Sequence, residues 1–202
     1  MEYASWVTPS KVGGSGDDTV SWTGSAHTGR SSRTTTATFA ASGVSPDKTL
    51  TIVQAGKTEF VDIDDTATVN KSGGTVTING TSNSGMLTFS LTGSNDIGLT
   101  LPGSYYANSV LTSNGTPITG DPGATQQYSF SISFVGIGEN TSVTPLTSQL
   151  TVTDNAGHTD TCTITQAAGD AYLTISPTTI TIPAAGTAQS VTVSSNTSWT
   201  IS

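Results

Sequence analysis

Apolar residues recur at every second position along almost the whole chain. The pattern is clear in Val76/Ile78, Leu87/Phe89/Leu91, Phe130/Ile132/Phe134, Leu150/Val152, Leu173/Ile175, Ile180/Ile182 and Val191/Val193. Thr or Ser usually stands between them, the spacing of a strand with one face buried and one in water. Turn-forming clusters separate the runs: Gly13-Gly14, Gly43 to Asp47, Gly73-Gly74, Asp154 to Gly157 and Ala185-Gly186. Short strands punctuated in this way predict an all-β fold of immunoglobulin-like β-sandwich type.

The pattern also repeats. Residues 19–63 match residues 131–175 at an offset of 112: Val20 and Trp22 fall on Ile132 and Phe134, and Leu50 and Ile52 on Cys162 and Ile164. Gln54, Ala55 and Gly56 answer Gln166, Ala167 and Gly169 after a one-residue slip, and Phe60 answers Tyr172. Beyond Gly74 and Gly186 the match of Val76-Thr77-Ile78 with Val191-Thr192-Val193 implies an offset of 115. The expected organisation is therefore a closing half unit over 1–57, a complete unit over 58–169 and an opening half unit over 170–202. The complete unit carries extra chain, roughly 93–117, expected to be a long surface loop or a small hairpin.

The stretch Tyr172-Leu-Thr-Ile-Ser-Pro177, followed by Val191-Thr-Val-Ser-Ser-Asn-Thr-Ser-Trp199-Thr-Ile-Ser, resembles the opening half of a BACON (Bacteroidetes-associated carbohydrate-binding often N-terminal) domain. Ser5-Trp6-Val7-Thr8-Pro9-Ser10, Asp18-Thr-Val-Ser-Trp22 and Arg33 to Gly56 resemble its closing half. The middle unit departs from the pattern where Leu87 stands for the first Trp and the long insertion intrudes. The resemblance implies a non-catalytic immunoglobulin-like module of gut Bacteroidota surface proteins or of their phages.

Joined end to end, 170–202 and 1–57 read as one such domain with no strand missing. Connectors as short as Lys57 to Glu59 and Gly169 to Ala171 oppose closure within one molecule. Strand complementation between molecules is one expectation; a piece of a longer tandem array is the other. The leading functional expectation is a non-enzymatic structural or adhesion module that assembles end to end on a phage virion, as decoration or fibre, or on a bacterial cell surface. Its partners would be copies of itself or neighbouring immunoglobulin-like domains. The alternative is a glycan-binding module of a secreted polysaccharide-degrading system, with surface glycans as partners.

Charge narrows these classes. Net charge is −8, and the six basic residues never cluster, which disfavours nucleic acid and anionic membranes. No run has the length of a membrane span. Ser and Thr form about a third of the chain and charged residues only 10%, a strand-and-turn composition.

Candidate chemistry is sparse. Trp22 repeats as Phe134, which keeps bulk but not the indole N–H, so it reads as core, and Trp199, aligned with Leu87, reads likewise. Tyr105 and Tyr106 have no counterpart in the repeat and point to opposite sides of an extended segment. With Trp6 they are the candidate ligand-contacting aromatics. Lone Cys162 takes the place of Leu50, a small buried apolar position. Asp62, Asp64 and Asp65 have the spacing of a calcium-binding edge, but their counterparts are Thr174, Ser176 and Pro177, so a solvated strand edge is expected. No nucleophile, base and acid fall together. No catalytic residue, metal ligand or cofactor is assigned.

Overall fold

The structure, a computed structural model, describes residues 3–202, and among them there is no helix. The N-terminal segment holds β1 (Val7–Pro9), β2 (Trp22–Gly24), β3 (Arg33–Phe39) and β4 (Lys48–Gln54). The central segment holds β5 (Val61–Ile63), β6 (Thr66–Val69), β7 (Gly74–Ser82), β8 (Leu87–Asn95), β9 (Ser104–Ala107), β10 (Val110–Ser113), β11 (Tyr128–Ile137), β12 (Leu146–Asp154) and β13 (Thr159–Gln166). The C-terminal segment holds β14 (Leu173–Ser176) and β15 (Thr192–Ser195).

The central strands make two sheets, ordered β10-β9-β11-β7-β5 and β6-β13-β12-β8. Alternation dictates what each contributes: Ile78, Phe130, Ile132 and Phe134 from the first meet Leu87, Phe89, Leu150, Val152, Cys162 and Ile164 from the second in one buried cluster. The Ser and Thr residues between them face outward. Every pairing is antiparallel except β6 with β13, which run parallel. The 93–117 insertion contains the β9–β10 hairpin, and β9 joins the first sheet through Phe130↔Ala107 and Ser131↔Tyr106.

The terminal segments are smaller. β1 pairs with β2, β3 with β4 and β14 with β15, each as an isolated two-stranded ribbon.

The C-terminal ribbon repeats the hydrogen bonds made at the start of the central sandwich. The Asn83 Oδ1 accepts from the Phe60 amide and its Nδ2 donates to the Thr58 carbonyl; Asn196 does the same with Tyr172 and Asp170. The Ser82 hydroxyl donates to the Phe60 carbonyl and accepts from the Ser84 amide. Ser195 does so with Tyr172 and Thr197.

Register corrects the expected offset of 115. Val61 faces Ser82 and Ile63 faces Gly80, while Leu173 faces Ser195 and Ile175 faces Val193. Gly80 thus corresponds to Val193, and Ile78 to Val191, an offset of 113. A slip of two residues leaves every side chain on its original face, so alternation alone is blind to it.

Candidate functional site

The outward side chains of the five-stranded sheet line a shallow groove of about 970 Å³. Register builds its floor: Asp62 faces Thr81, Thr81 faces Ser129, Asn79 faces Ser131, and Ser131 faces Tyr106. Tyr106, 54% exposed, supplies the exposed aromatic ring of this surface, whose lining also includes Ile63 and Phe130. The Asp64 carboxylate is partly engaged by the Asn79 amide at 2.9 Å. Such a surface offers hydrogen bonds and one ring face to a polar ligand. Among the described residues no three acidic, His or Cys side chains converge as a metal site.

The other aromatic candidates lie elsewhere. Tyr105 belongs to the core, its ring centroid 4.8 Å from that of Phe89. Its buried hydroxyl has no hydrogen-bond partner. Burial pushes the phenol up to about 12, against a smaller opposing effect of the Leu87 backbone. Trp6 is half-buried beneath the Arg33 guanidinium, 4.5 Å from the ring centroid. Arg33 in turn donates to Gln54 Oε1 and the Ser25 carbonyl. Trp6 is thus packed within its segment, away from the Tyr106 groove.

The remaining chemistry-bearing groups hold turns and core together. Cys162 is fully buried, and burial, helped by Asp64, Asp65 and Asp160, pushes its thiol up to about 11. The His158 Nδ1 meets the Asp154 carboxylate at 2.8 Å within one turn. The His27 Nε2 meets the Ser31 carbonyl at 2.7 Å.

Both terminal segments present exposed apolar side chains. In the N-terminal one, Trp22 sits edge-on to Tyr3 and Phe39, at 5.3 and 6.5 Å between centroids. With Ala37, Val20 and Val44 it lines a mainly apolar groove of about 710 Å³ between the two ribbons. In the C-terminal one, Leu173, Ile175, Ile180, Ile182, Val191, Trp199 and Ile201 are exposed. Trp199, expected in the core, is 46% exposed, and among the described residues no strand pairs over it.

Two junctions hold the segments in place. The Arg30 guanidinium donates to both Asp121 carboxylate oxygens, at 2.5 and 2.8 Å, and twice to the Asn83 carbonyl. Buried Glu59, which accepts from the Ser84 hydroxyl, lies 3.9 Å from Arg30. At the opposite pole Asn196 donates to the Thr141 carbonyl, and Lys71 pairs with Asp170. The repeat carries no signal for Arg30, because Asp121 lies in none of its matched positions and Asn83 meets Arg30 through a backbone carbonyl that any residue offers; the Ser-Asn pairs at 82–83 and 195–196 are legible in the sequence. Compared with known proteins, the chain matches no family model and no curated relative.

Proposed function

We propose that the protein is a non-enzymatic structural module that joins its neighbours end to end, its terminal segments being complementary halves of one immunoglobulin-like, BACON-type sandwich. One observation carries this reading: apolar positions that are buried in the central sandwich are open in the terminal segments. Leu173 is 57% exposed where its counterpart Val61 is half-buried, and Leu50 is 38% exposed where Cys162 is fully covered. Each large aliphatic or aromatic side chain contributes about 1.5–3 kcal/mol on full burial. The exposed set thus drives association against a cost of about 4–15 kcal/mol in lost rigid-body freedom.

The connectivity of the central sandwich supports the immunoglobulin-like part of the reading. β5, β7, β11 and β9 follow the A-B-E-D order, and β13, β12 and β8 follow G-F-C. The neighbours are copies of this chain or adjoining units of the same kind, and the setting that fits the BACON resemblance is a phage virion or a bacterial surface. Sedimentation velocity over a hundredfold concentration range tests the proposal. Growth into head-to-tail oligomers is expected; a folded chain that stays monomeric throughout would overturn it.

The groove beside Tyr106 favours a second reading, glycan recognition. Its expected signature is retardation by a polysaccharide in affinity electrophoresis that Tyr106→Ala removes and Tyr105→Phe leaves intact. Free migration of the unaltered protein across a broad polysaccharide panel would dispose of it.

A further inference from the structure

We infer that the groove between the N-terminal ribbons is the seat for residues 199–201 of a second copy. They add as an antiparallel strand to the open edge of β3, with Ile201 facing Phe39. This rests on the function proposed above and names its contact.

The central sandwich supplies the template. β12 pairs with β13 through Leu150↔Cys162 and carries β8 on its other edge through Val152↔Phe89 and Asp154↔Leu87. β3 pairs with β4 through Ala37↔Leu50, which makes Ala37 the counterpart of Leu150 and Phe39 that of Val152. Among the described residues no strand pairs with the other edge of β3. The missing strand must open as β8 does, with inward, outward and inward side chains, as in Leu87-Thr88-Phe89. Trp199-Thr200-Ile201 has that alternation after a connection from Asn196 one residue shorter than that from Asn83 to Leu87, and both of its apolar members are exposed.

Size agrees with the assignment. Where the intact unit pairs Val152 with Phe89, the groove offers Phe39 and the incoming segment brings Ile201. A larger wall and a smaller guest conserve volume across the contact, as close packing requires.

Position decides that the guest is a second copy. Arg30 anchors the N-terminal segment at the Asn83–Asp121 pole of the sandwich, and Asn196 anchors the C-terminal one at the Thr141 pole. Nine-residue β7 spans the distance between these poles, about 30 Å at ~3.3 Å per residue. The three residues from Asn196 to Trp199 cover about 10 Å. The groove of the same molecule is out of reach, and the contact is heterologous, repeating from copy to copy.

The test mixes two preparations of the full chain, one carrying Phe39→Cys and the other Ile201→Cys, under copper–phenanthroline oxidation. Native Cys162, fully buried, serves as the internal unreactive control. The expected result is a cross-linked pair from the mixture, with loss of most of it when Thr200→Cys, on the opposite face, replaces Ile201→Cys. Trp199→Ala, a change at an exposed position, is expected to weaken association about tenfold or more in sedimentation. Concentration-dependent oligomers without the Phe39–Ile201 cross-link would overturn this contact and leave the end-to-end reading standing. A chain monomeric at every concentration would overturn both.

Discussion

Asn196 repeats the hydrogen bonds of Asn83 at the other pole of the molecule, each side chain clamping the backbone two residues apart on the segment that opens the next ribbon. Asn83 is buried and adds a bond to the Ala124 carbonyl, whereas Asn196 is partly exposed and adds one to Thr141. Removing a buried partner strands the groups it satisfied, at about 1–3 kcal/mol. Asn83→Ala is therefore expected to destabilise the central sandwich by that amount in urea unfolding. Asn196→Ala should cost about 1 kcal/mol or less and act only on the C-terminal ribbon.

Tyr105 gives the opposite sign. Its hydroxyl is buried without a hydrogen bond, so Tyr105→Phe removes a desolvated polar group and keeps the contact with Phe89. The expected change is neutral to about 1 kcal/mol stabilising, read from the urea midpoint. Tyr105→Ala, which opens a cavity, is expected to cost about 3–5 kcal/mol.

Gly56 and Gly169 stand where the chain leaves one segment for the next. A Cβ at Gly56 would lie 1.8 Å from the Arg30 carbonyl oxygen, and one at Gly169 would lie 2.4 Å from that of Asn140. Both obstacles are backbone, so Gly56→Ala must push the Arg30 loop away. All three Trp residues, Trp6, Trp22 and Trp199, lie in the terminal segments, so their fluorescence reports those and circular dichroism reports mainly the sandwich. Gly56→Ala is expected to move the fluorescence transition to lower urea by the equivalent of about 1–3 kcal/mol, with the circular-dichroism transition nearly unchanged.

The Arg30–Asp121 pair sets an acid limit. The guanidinium, by hydrogen bonding, holds the Asp121 carboxyl below its usual range, and Asp121 raises Arg30, which stays charged throughout. A depressed carboxyl contributes fully above its unfolded value, about 3.9, and loses that contribution as pH falls through the folded value. Energy transfer between dyes on the N-terminal and central segments is expected to stay flat from pH 7 to about 5 and fall in stronger acid. Asp121→Asn should show the loosened state already at pH 7, at a cost on the order of 1 kcal/mol.

Much of the fold was legible in the alternation itself. The facing of Ile78, Phe130, Ile132 and Phe134 follows from spacing alone, and Cys162 could be placed in the core from its match to Leu50. The two-residue error at Val191 and Val193 arose from the same source, since period-two spacing cannot register a slip of two. The pairing of β14 with β15 and the hydrogen bonds of Ser195 and Asn196 resolve it. Tyr105 and Tyr106 looked alike in sequence, and the pairing of β9 with β11 decides which enters the core. The Tyr106 groove joins residues from four strands, a convergence that no local pattern encodes.

The parallel pairing of β6 with β13 has a mechanical meaning. These strands lie near the entry and the exit of the central sandwich, with Thr66↔Thr163 through Val69↔Gln166 in register. Tension applied along the chain draws the two in opposite directions along their own axes, so their bridging bonds are loaded together in shear and cannot be peeled one after another. A string of such units would transmit pulling force while each link stayed shut.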